Sequence, residues 1–165
     1  MESADADRRR AAIVVAAVLA IVVVDQLTKA WAVVALADGP KSVLGDVVEL
    51  RLARNPGGAF GRFRGFTPVL AVVAAAITVV IARLVRRTVD RALLVGLVLV
   101  LGGALGNLAD RIFRSPGVLR GHVVDFVSVG WWPIFNVADA CITVGAVLIV
   151  WRMLRSDVPA GRAAA

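Results

Sequence analysis

The stretch that decides the fold covers residues 102–139 and reads GGALGNLADRIFRSPGVLRGHVVDFVSVGWWPIFNVAD. It leaves one apolar run and enters another, and it contains the carboxylates Asp125 and Asp139. Asn107 and Arg111 lie four residues apart, so they share a face of any helix formed there. Acids, amides and a guanidinium at the end of a membrane span are costly unless they pair or have a function. The stretch therefore predicts a functional site.

Two further residues belong to the same pattern. Gly103 precedes Asn107 by four residues and joins its helical face, while Asn136 precedes Asp139 by three at the start of the next apolar run. The predicted site thus draws polar groups from two neighbouring helices.

The composition of the 165-residue chain indicates a membrane protein, because 59% of its residues are hydrophobic and only 19% are charged. The net charge of +7 comes with few aromatic residues, and arginines flank the apolar runs, which favours lipid headgroups over nucleic acid. The single cysteine, Cys141, excludes an intrachain disulfide. With one histidine, His122, a metal site is improbable, and we expect neither metal nor cofactor.

The hydropathy pattern predicts a membrane all-α fold, a bundle of four transmembrane helices that each suit a hydrocarbon core about 30 Å thick. The spans are residues 11–37, 66–84, 92–110 and 134–154. Residues 1–10 are predicted to be a disordered cytoplasmic tail, and residues 155–165 a second tail.

The first span could also be a cleaved signal peptide, since residues 35–37 resemble a small-residue cleavage site. The apolar run is too long for one, and the Asp25–Lys29 pair at helical spacing would be unusual in a discarded peptide. A retained helix is favoured.

Residues 38–65 predict a small extramembrane β element between helices 1 and 2. Alternation over residues 47–52 indicates a strand, residues 55–58 have turn chemistry, and Ala59–Phe63 could return as a second strand. Residues 111–133 are predicted to be an extracytoplasmic loop, in which Trp131 and Trp132 resemble interfacial anchors.

The basic residues predict the orientation. The arginines of the N-terminal tail, the 83–91 connector and the C-terminal end lie in shorter segments than the basic residues of the other side. By the positive-inside rule both termini are cytoplasmic and the polar cluster lies at the outer face.

Two carboxylates held close together cannot both ionise easily, so one keeps a proton while the other acts as a base. Such a pair can activate water against an amide carbonyl and protonate the leaving nitrogen. This is the chemistry of aspartic proteases, and it requires no metal, histidine or cysteine.

Five motifs in order resemble the bacterial lipoprotein signal peptidase family, signal peptidase II, over nearly the whole chain from the first helix to the fourth. They are VVVDQLTK (22–29), NPGGAF (55–60), GGALGNLADR (102–111), GHVVDF (121–126) and FNVADACITVG (135–145). The segment between Arg111 and His122 is longer than the usual form.

The resemblance implies a four-helix aspartyl protease of the bacterial inner membrane. It would remove the signal peptide from diacylglyceryl-modified prolipoproteins, cutting before the lipidated cysteine, and act as a monomer among membrane lipids. Asp125 and Asp139 would be the catalytic dyad. The residues implied to line or brace the site are Asp25, Lys29, Asn55, Gly103, Asn107, Arg111 and Asn136.

Other interpretations remain for parts of the pattern. Asp110 is expected to be a structural ion-pair partner or cap beside Arg111, and Asp25 and Lys29 could neutralise each other or lie near the substrate. A proton-coupled carrier would also contain membrane carboxylates, but it would place them near mid-span and favour repeats, which are not visible. A purely structural bundle would leave the paired acids unexplained.

The pattern also suggests how a substrate is held. The glycines between residues 96 and 106 give a smooth face, beside which the apolar helix of a signal peptide could lie. The 38–65 element is expected to close over the substrate as a lid, with Asn55 at its turn and Phe60, Phe63 and Phe66 along it.

Overall fold

The structure, a computed structural model, describes residues 2–45, 47–57 and 67–156. These residues form four helices and one three-stranded sheet, which confirms the predicted fold class. In chain order the elements are α1 (Glu2–Ala35), β1 (Lys41–Leu44), β2 (Val48–Asn55), α2 (Thr67–Arg87), α3 (Arg91–Phe113), β3 (Val123–Val129) and α4 (Val137–Ser156).

All four helices are long and apolar enough to cross a membrane. The shortest of the apolar stretches has 19 residues, which at about 1.5 Å per residue approaches the thickness of the hydrocarbon core. The chain is therefore a multi-pass membrane protein.

Helix α1 begins at Glu2, so the prediction of a disordered tail over residues 1–10 is wrong for the part that the structure describes. Asp5 and Asp7 lie in the first two turns, where negative charge favours the positive end of the helix dipole. The polar start is continuous with the spanning helix rather than separate from it.

Helix α3 is packed against the other three helices, and its glycines allow the closest of these contacts. A Cβ at Gly102 would come within 2.8 Å of Ile21 in α1, and one at Gly103 would clash with the Ala138 carbonyl oxygen in α4. The glycine face is thus already filled by α1 and α4. A groove for a substrate helix must be bounded by other residues.

The sheet has the strand order β1-β2-β3, and both pairs are antiparallel. In the register, Val48 is opposite Val129 and Asn55 is opposite Val123, with an irregularity between Leu50 and Ala53. Strand β3 lies inside the segment predicted as a loop, so that part of the prediction is wrong. The possible strand at 59–63 and the lid phenylalanines lie outside the described residues.

The sheet is seated on the ends of α1 and α4. Its inner side contributes Phe126, which forms a buried cluster with Ala32 and Leu36 at the end of α1. Trp31 also meets Phe126 edge-on, with ring centroids 6.3 Å apart. Because β3 runs so close to the helix ends, Asp125 is carried to the rim of the bundle.

The opposite end of the bundle is joined by polar contacts. Asp90 caps α3 by accepting a hydrogen bond from the Leu93 backbone N–H, and its carboxylate lies 2.7 Å from Arg152 in α4. Arg10 in α1 donates to the Thr88 carbonyl oxygen. The α2–α3 connection is therefore linked to α1 and α4.

Candidate active site

Strand β3 and the first turn of α4 bring the two predicted catalytic carboxylates to the sheet end of the bundle. Asp125 is the third residue of β3 and is 3% exposed, while Asp139 is the third residue of α4. Asn136 lies immediately before α4 and contacts both acids. One strand, one turn and the start of one helix thus bring together two acids that are separated in the sequence.

Each oxygen of Asp125 accepts a hydrogen bond from an asparagine amide. Oδ1 lies 2.7 Å from Asn136 Nδ2, and Oδ2 lies 3.1 Å from Asn55 Nδ2. Burial, followed by the charge of Asp139, raises the pKa of Asp125 from its ordinary value of 3.8 to about 6. The two amide hydrogen bonds oppose this shift because they favour the ionised form.

Asp139 is held in the same manner. Its Oδ1 accepts from Asn107 Nδ2 at 2.8 Å, and its Oδ2 accepts from the Asn136 backbone N–H at 3.3 Å. The Asp139 N–H returns a hydrogen bond to Asn136 Oδ1 at 2.9 Å. This reciprocal arrangement is that of a capping box, so the start of α4 and the position of the carboxylate are set together.

The amide orientations follow from what contacts the oxygen of each asparagine. Asn55 Oδ1 accepts from the Gly57 N–H at 3.0 Å, and Asn107 Oδ1 accepts from Lys29 Nζ at 3.0 Å. A backbone N–H and an ammonium group can only donate, so the amide oxygens face them and the N–H groups face the carboxylates. The dyad is therefore surrounded by preset donors.

Lys29 is the centre of a buried charged cluster behind the dyad. Its ammonium lies 2.8 Å from Asp25 and 2.9 Å from Asp110, and all three side chains are fully buried. Asp25 also accepts from the Ala138 backbone N–H at 2.9 Å. The Asp25–Lys29 pair thus joins α1 to α3 and to the first turn of α4.

Asp110 pairs with Lys29 and Arg114 rather than with its sequence neighbour Arg111. Its Oδ1 lies 2.6 Å from Arg114 Nε, and its Oδ2 accepts from the Val124 backbone N–H at 3.1 Å. Val124 precedes Asp125, so this buried acid holds the strand that carries the dyad. The expectation of a structural ion pair agrees with this geometry, but its partners differ.

Sequence reasoning missed two polar contributors, Gln26 and Arg114. Gln26 Nε2 donates to Asp110 Oδ1 at 3.0 Å and to the Gly106 carbonyl oxygen at 3.1 Å. Arg114 lies one helical turn after Asp110, a spacing that could have indicated the pair. Gln26 directly follows Asp25 in the DQLTK motif, but only the packing of α1 on α3 gives it a role.

Arg111 and Gly103 differ from the other predicted site residues. Nη1 of Arg111 is buried and has no hydrogen-bond partner among the described residues, although the guanidinium lies within electrostatic reach of both dyad acids. Gly103 contributes no polar group and instead permits the contact with Ala138. The remaining predicted residues form one hydrogen-bonded network with the dyad: Asp25, Lys29, Asn55, Asn107 and Asn136.

Comparison with known proteins agrees with this architecture. A solved bacterial membrane enzyme, determined by the in meso method at 2.3 Å resolution, superposes with a TM-score of 0.78 at 24% identity, covering 93% of this chain and 94% of the other. A second, at 1.9 Å resolution, gives a TM-score of 0.73 at 27% identity, covering 87% and 94%.

Sequence relatives are closer. The lipoprotein signal peptidase of Rhodococcus jostii is 51% identical over 142 residues, which is 86% of this chain and 72% of that protein. The one from Mycobacterium tuberculosis strain H37Rv is 47% identical over 149 residues, covering 90% and 74%. The family model described as Signal peptidase (SPase) II matches residues 17–155. The chain therefore belongs to the signal peptidase II family, a family of membrane peptidases.

Proposed function

We propose that the protein is an aspartyl endopeptidase that removes the signal peptide from lipid-modified prolipoproteins. The observation that carries this proposal is the pair of carboxylates at the rim of the bundle, whose four oxygens all receive preset N–H donors. The lipoprotein signal peptidases to which the chain is similar support the substrate class.

The charges of the site favour one shared proton on the dyad. Four carboxylates lie among three cations in the connected cluster: Asp25, Asp110, Asp125 and Asp139 against Lys29, Arg111 and Arg114. One proton on the dyad makes the cluster neutral, which is the least costly state at the edge of a hydrocarbon phase. The raised pKa of Asp125 supports the same state.

The reaction then proceeds by general acid–base catalysis. The ionised carboxylate takes a proton from water as the water oxygen bonds to the scissile carbonyl carbon. The protonated carboxyl gives its proton to the carbonyl oxygen, producing a tetrahedral diol. When the carbon–nitrogen bond breaks, the nitrogen takes a proton from the dyad and a diol hydroxyl returns one to it.

We assign to Arg111 a contact with a substrate carbonyl oxygen. Buried donors without partners are uncommon in folded proteins, and the Nη1 group of Arg111 is such a donor among the described residues. A peptide or ester carbonyl arriving beside the dyad would complete it with a charge-assisted hydrogen bond. This contact would orient the substrate at the two acids.

The substrate is expected to carry a diacylglyceryl group on the cysteine after the scissile bond. The dyad lies at the depth where the bundle meets its sheet, so the scissile bond must be presented at one surface of the membrane. Acyl chains held in the bilayer next to that bond fix its register, and such positioning can contribute a large part of a rate.

Replacement of the dyad acids tests the chemistry. Asp125→Asn and Asp139→Asn should each abolish cleavage of a lipidated precursor peptide in detergent, because an amide can neither act as base nor share the proton. Asp90→Asn is the matched control, since it changes an acid at the other end of the bundle. Wild-type turnover by either well-folded dyad variant would contradict the assignment.

We also propose that the protein resides in the bacterial inner membrane with both termini cytoplasmic and the dyad at the outer face. The short arginine-rich segments at the end opposite the sheet support this orientation. A cysteine at position 88, on a Cys141→Ala background, should escape an impermeant thiol reagent in intact cells. Position 118, which is exposed in the segment between α3 and β3, should be labelled. The reverse pattern would overturn the orientation.

A further inference from the structure

One end of the sheet exposes a group of apolar side chains that the catalytic proposal does not use. Here it is named the sheet tip, and its members are Val43, Leu44, Val47, Val129, Trp131 and Trp132. Trp131 is 85% exposed and Leu44 is 67% exposed, although turn residues at a sheet end are commonly polar. Exposed apolar groups collected in this way mark contact with lipid or protein.

The sheet tip is a built surface rather than two unrelated turns. Val48 lies between Leu44 of β1 and Val129 of β3 in the register, and the Gly130 N–H donates to the Val47 carbonyl oxygen at 2.9 Å. Both turns contain a glycine with positive φ, Gly45 at 54° and Gly130 at 49°. The two tryptophans meet edge-on with centroids 5.5 Å apart.

The position of α1 places the sheet tip near the membrane surface. Residues 11–30 follow the last arginine of the N-terminal segment and supply the roughly 20 residues that cross the hydrocarbon core. Trp31 then lies at the boundary of the core, beside Phe126 of β3. From Phe126 to Val129 the strand advances about 10 Å at most, so the tip remains within reach of the headgroup layer.

The tryptophans of the tip and the basic residues of the strands indicate which partner the tip meets. Strands β1 and β2 carry Lys41, Arg51 and Arg54 against Glu49, and the sequence places one further acid, Asp46, between the two strands. Lys41 and Arg51 lie closer to the tip than Arg54 does. Tryptophan is enriched where a membrane meets water, and basic side chains nearby are attracted to anionic headgroups. We propose that the sheet tip inserts into the headgroup layer of the bilayer and anchors the sheet, and with it β3 and Asp125, at constant depth.

Single-tryptophan proteins test this placement. The chain has four tryptophans, so three proteins are made in which only Trp31, Trp131 or Trp132 remains and the others are phenylalanine. Each full-length protein is reconstituted into phosphatidylcholine bilayers, with and without phosphatidylglycerol, that contain lipids nitroxide-labelled at a shallow acyl position. Trp31, which is half exposed on a spanning helix, is the internal standard.

We expect the lipid label to quench the emission of Trp131 and Trp132 about as strongly as it quenches the emission of Trp31. Aqueous iodide should quench Trp131 and Trp132 only weakly. Stronger quenching with phosphatidylglycerol would support the contribution of the basic residues. Iodide quenching without lipid quenching would overturn the proposal. Protection from both quenchers would also overturn it, because it would indicate a protein partner or a second copy.

A comparison that leaves Trp31 in place guards against misfolding of the single-tryptophan proteins. The native chain and its Trp131→Phe/Trp132→Phe variant are measured in the same labelled bilayers. At equal protein concentration, the absolute emission lost to the lipid label should be larger for the native chain than for the variant. An equal absolute loss would mean that the tip tryptophans are not quenched and would contradict insertion of the tip. It would leave the proposed peptidase activity untouched because no cleavage is measured.

Discussion

At the scale of single residues, three asparagines explain why two acids can share this site. The side-chain oxygen of each asparagine accepts a hydrogen bond from another group, and its side-chain N–H group donates to a carboxylate of the dyad. An amide N–H favours the ionised form, whereas burial favours the neutral one. The balance leaves the pKa of Asp125 near 6 rather than far above it.

Asn55→Ala should raise the pKa of Asp125 further, because it removes a donor that stabilises the carboxylate anion. Loss of the shared proton then requires a higher pH. The falling limb of kcat/KM, which should lie near pH 6 in the wild type, is expected to move to higher pH, and the rate at its maximum should be lower.

The measurement is kcat/KM for a lipidated precursor peptide across the pH range in one detergent. Ser42→Ala serves as the control, because the Ser42 hydroxyl donates to the Gly45 carbonyl oxygen just after β1 and does not contact the dyad. If the falling limb of kcat/KM stays at the same pH or moves to lower pH in Asn55→Ala, the proposed role of Asn55 is contradicted.

At the scale of elements, Asp110 connects three of them. It lies near the end of α3, pairs with Lys29 of α1 and accepts the Val124 N–H of β3. The position of β3 on the bundle therefore depends on a buried charge. Without the Asp110 charge, Lys29 would keep only Asp25 as an ion-pair partner and Arg114 would lose its carboxylate, and such a loss of compensation in a buried cluster is costly.

Asp110→Asn should lower the free energy of unfolding by about 3–5 kcal/mol. Thermal unfolding of the detergent-solubilised variant would show this, with Asp90→Asn as a control whose carboxylate is partly exposed and should matter less. Cleavage below the melting temperature should be reduced but measurable, since Asp110 is not assigned to the reacting atoms. Complete loss in a well-folded variant would place Asp110 in the catalytic machinery.

At the scale of the whole molecule, the bundle and its sheet together define a depth in the membrane. Helix α3 packs against α1, α2 and α4, while the sheet contacts the ends of α1 and α3 and the first residue of α4. The dyad lies where these parts meet. A lipid-modified substrate would be held by its own acyl chains at a fixed distance from that depth.

We therefore expect the diacylglyceryl form of a precursor peptide to be cut much faster than the unlipidated form in mixed micelles. The difference should appear mainly in kcat, because both forms already partition into the micelle through the signal peptide. Equal kcat values for the two peptides would refute the positioning argument and weaken the proposed substrate.

The sequence alone determined several features of this protein. Four apolar runs of spanning length specify a membrane bundle because hydrocarbon demands helices with satisfied backbone groups. Polar residues at helical spacings, Asn107 with Arg111 and Asn136 with Asp139, predict a site at the end of that bundle. These features are local in the sequence: each depends on residues within one helix or one helical turn.

Only the tertiary structure decided the features that depend on distant residues. Strand β3 forms because β2, more than 60 residues earlier, supplies its partner, and the local Val-rich pattern did not reveal it. Asp110 faces Lys29, and α1 and α4 fill the glycine face, because the packing of α3 sets which sides meet. Pairing across the bundle is a property of packed surfaces, and no local pattern along the chain encodes it.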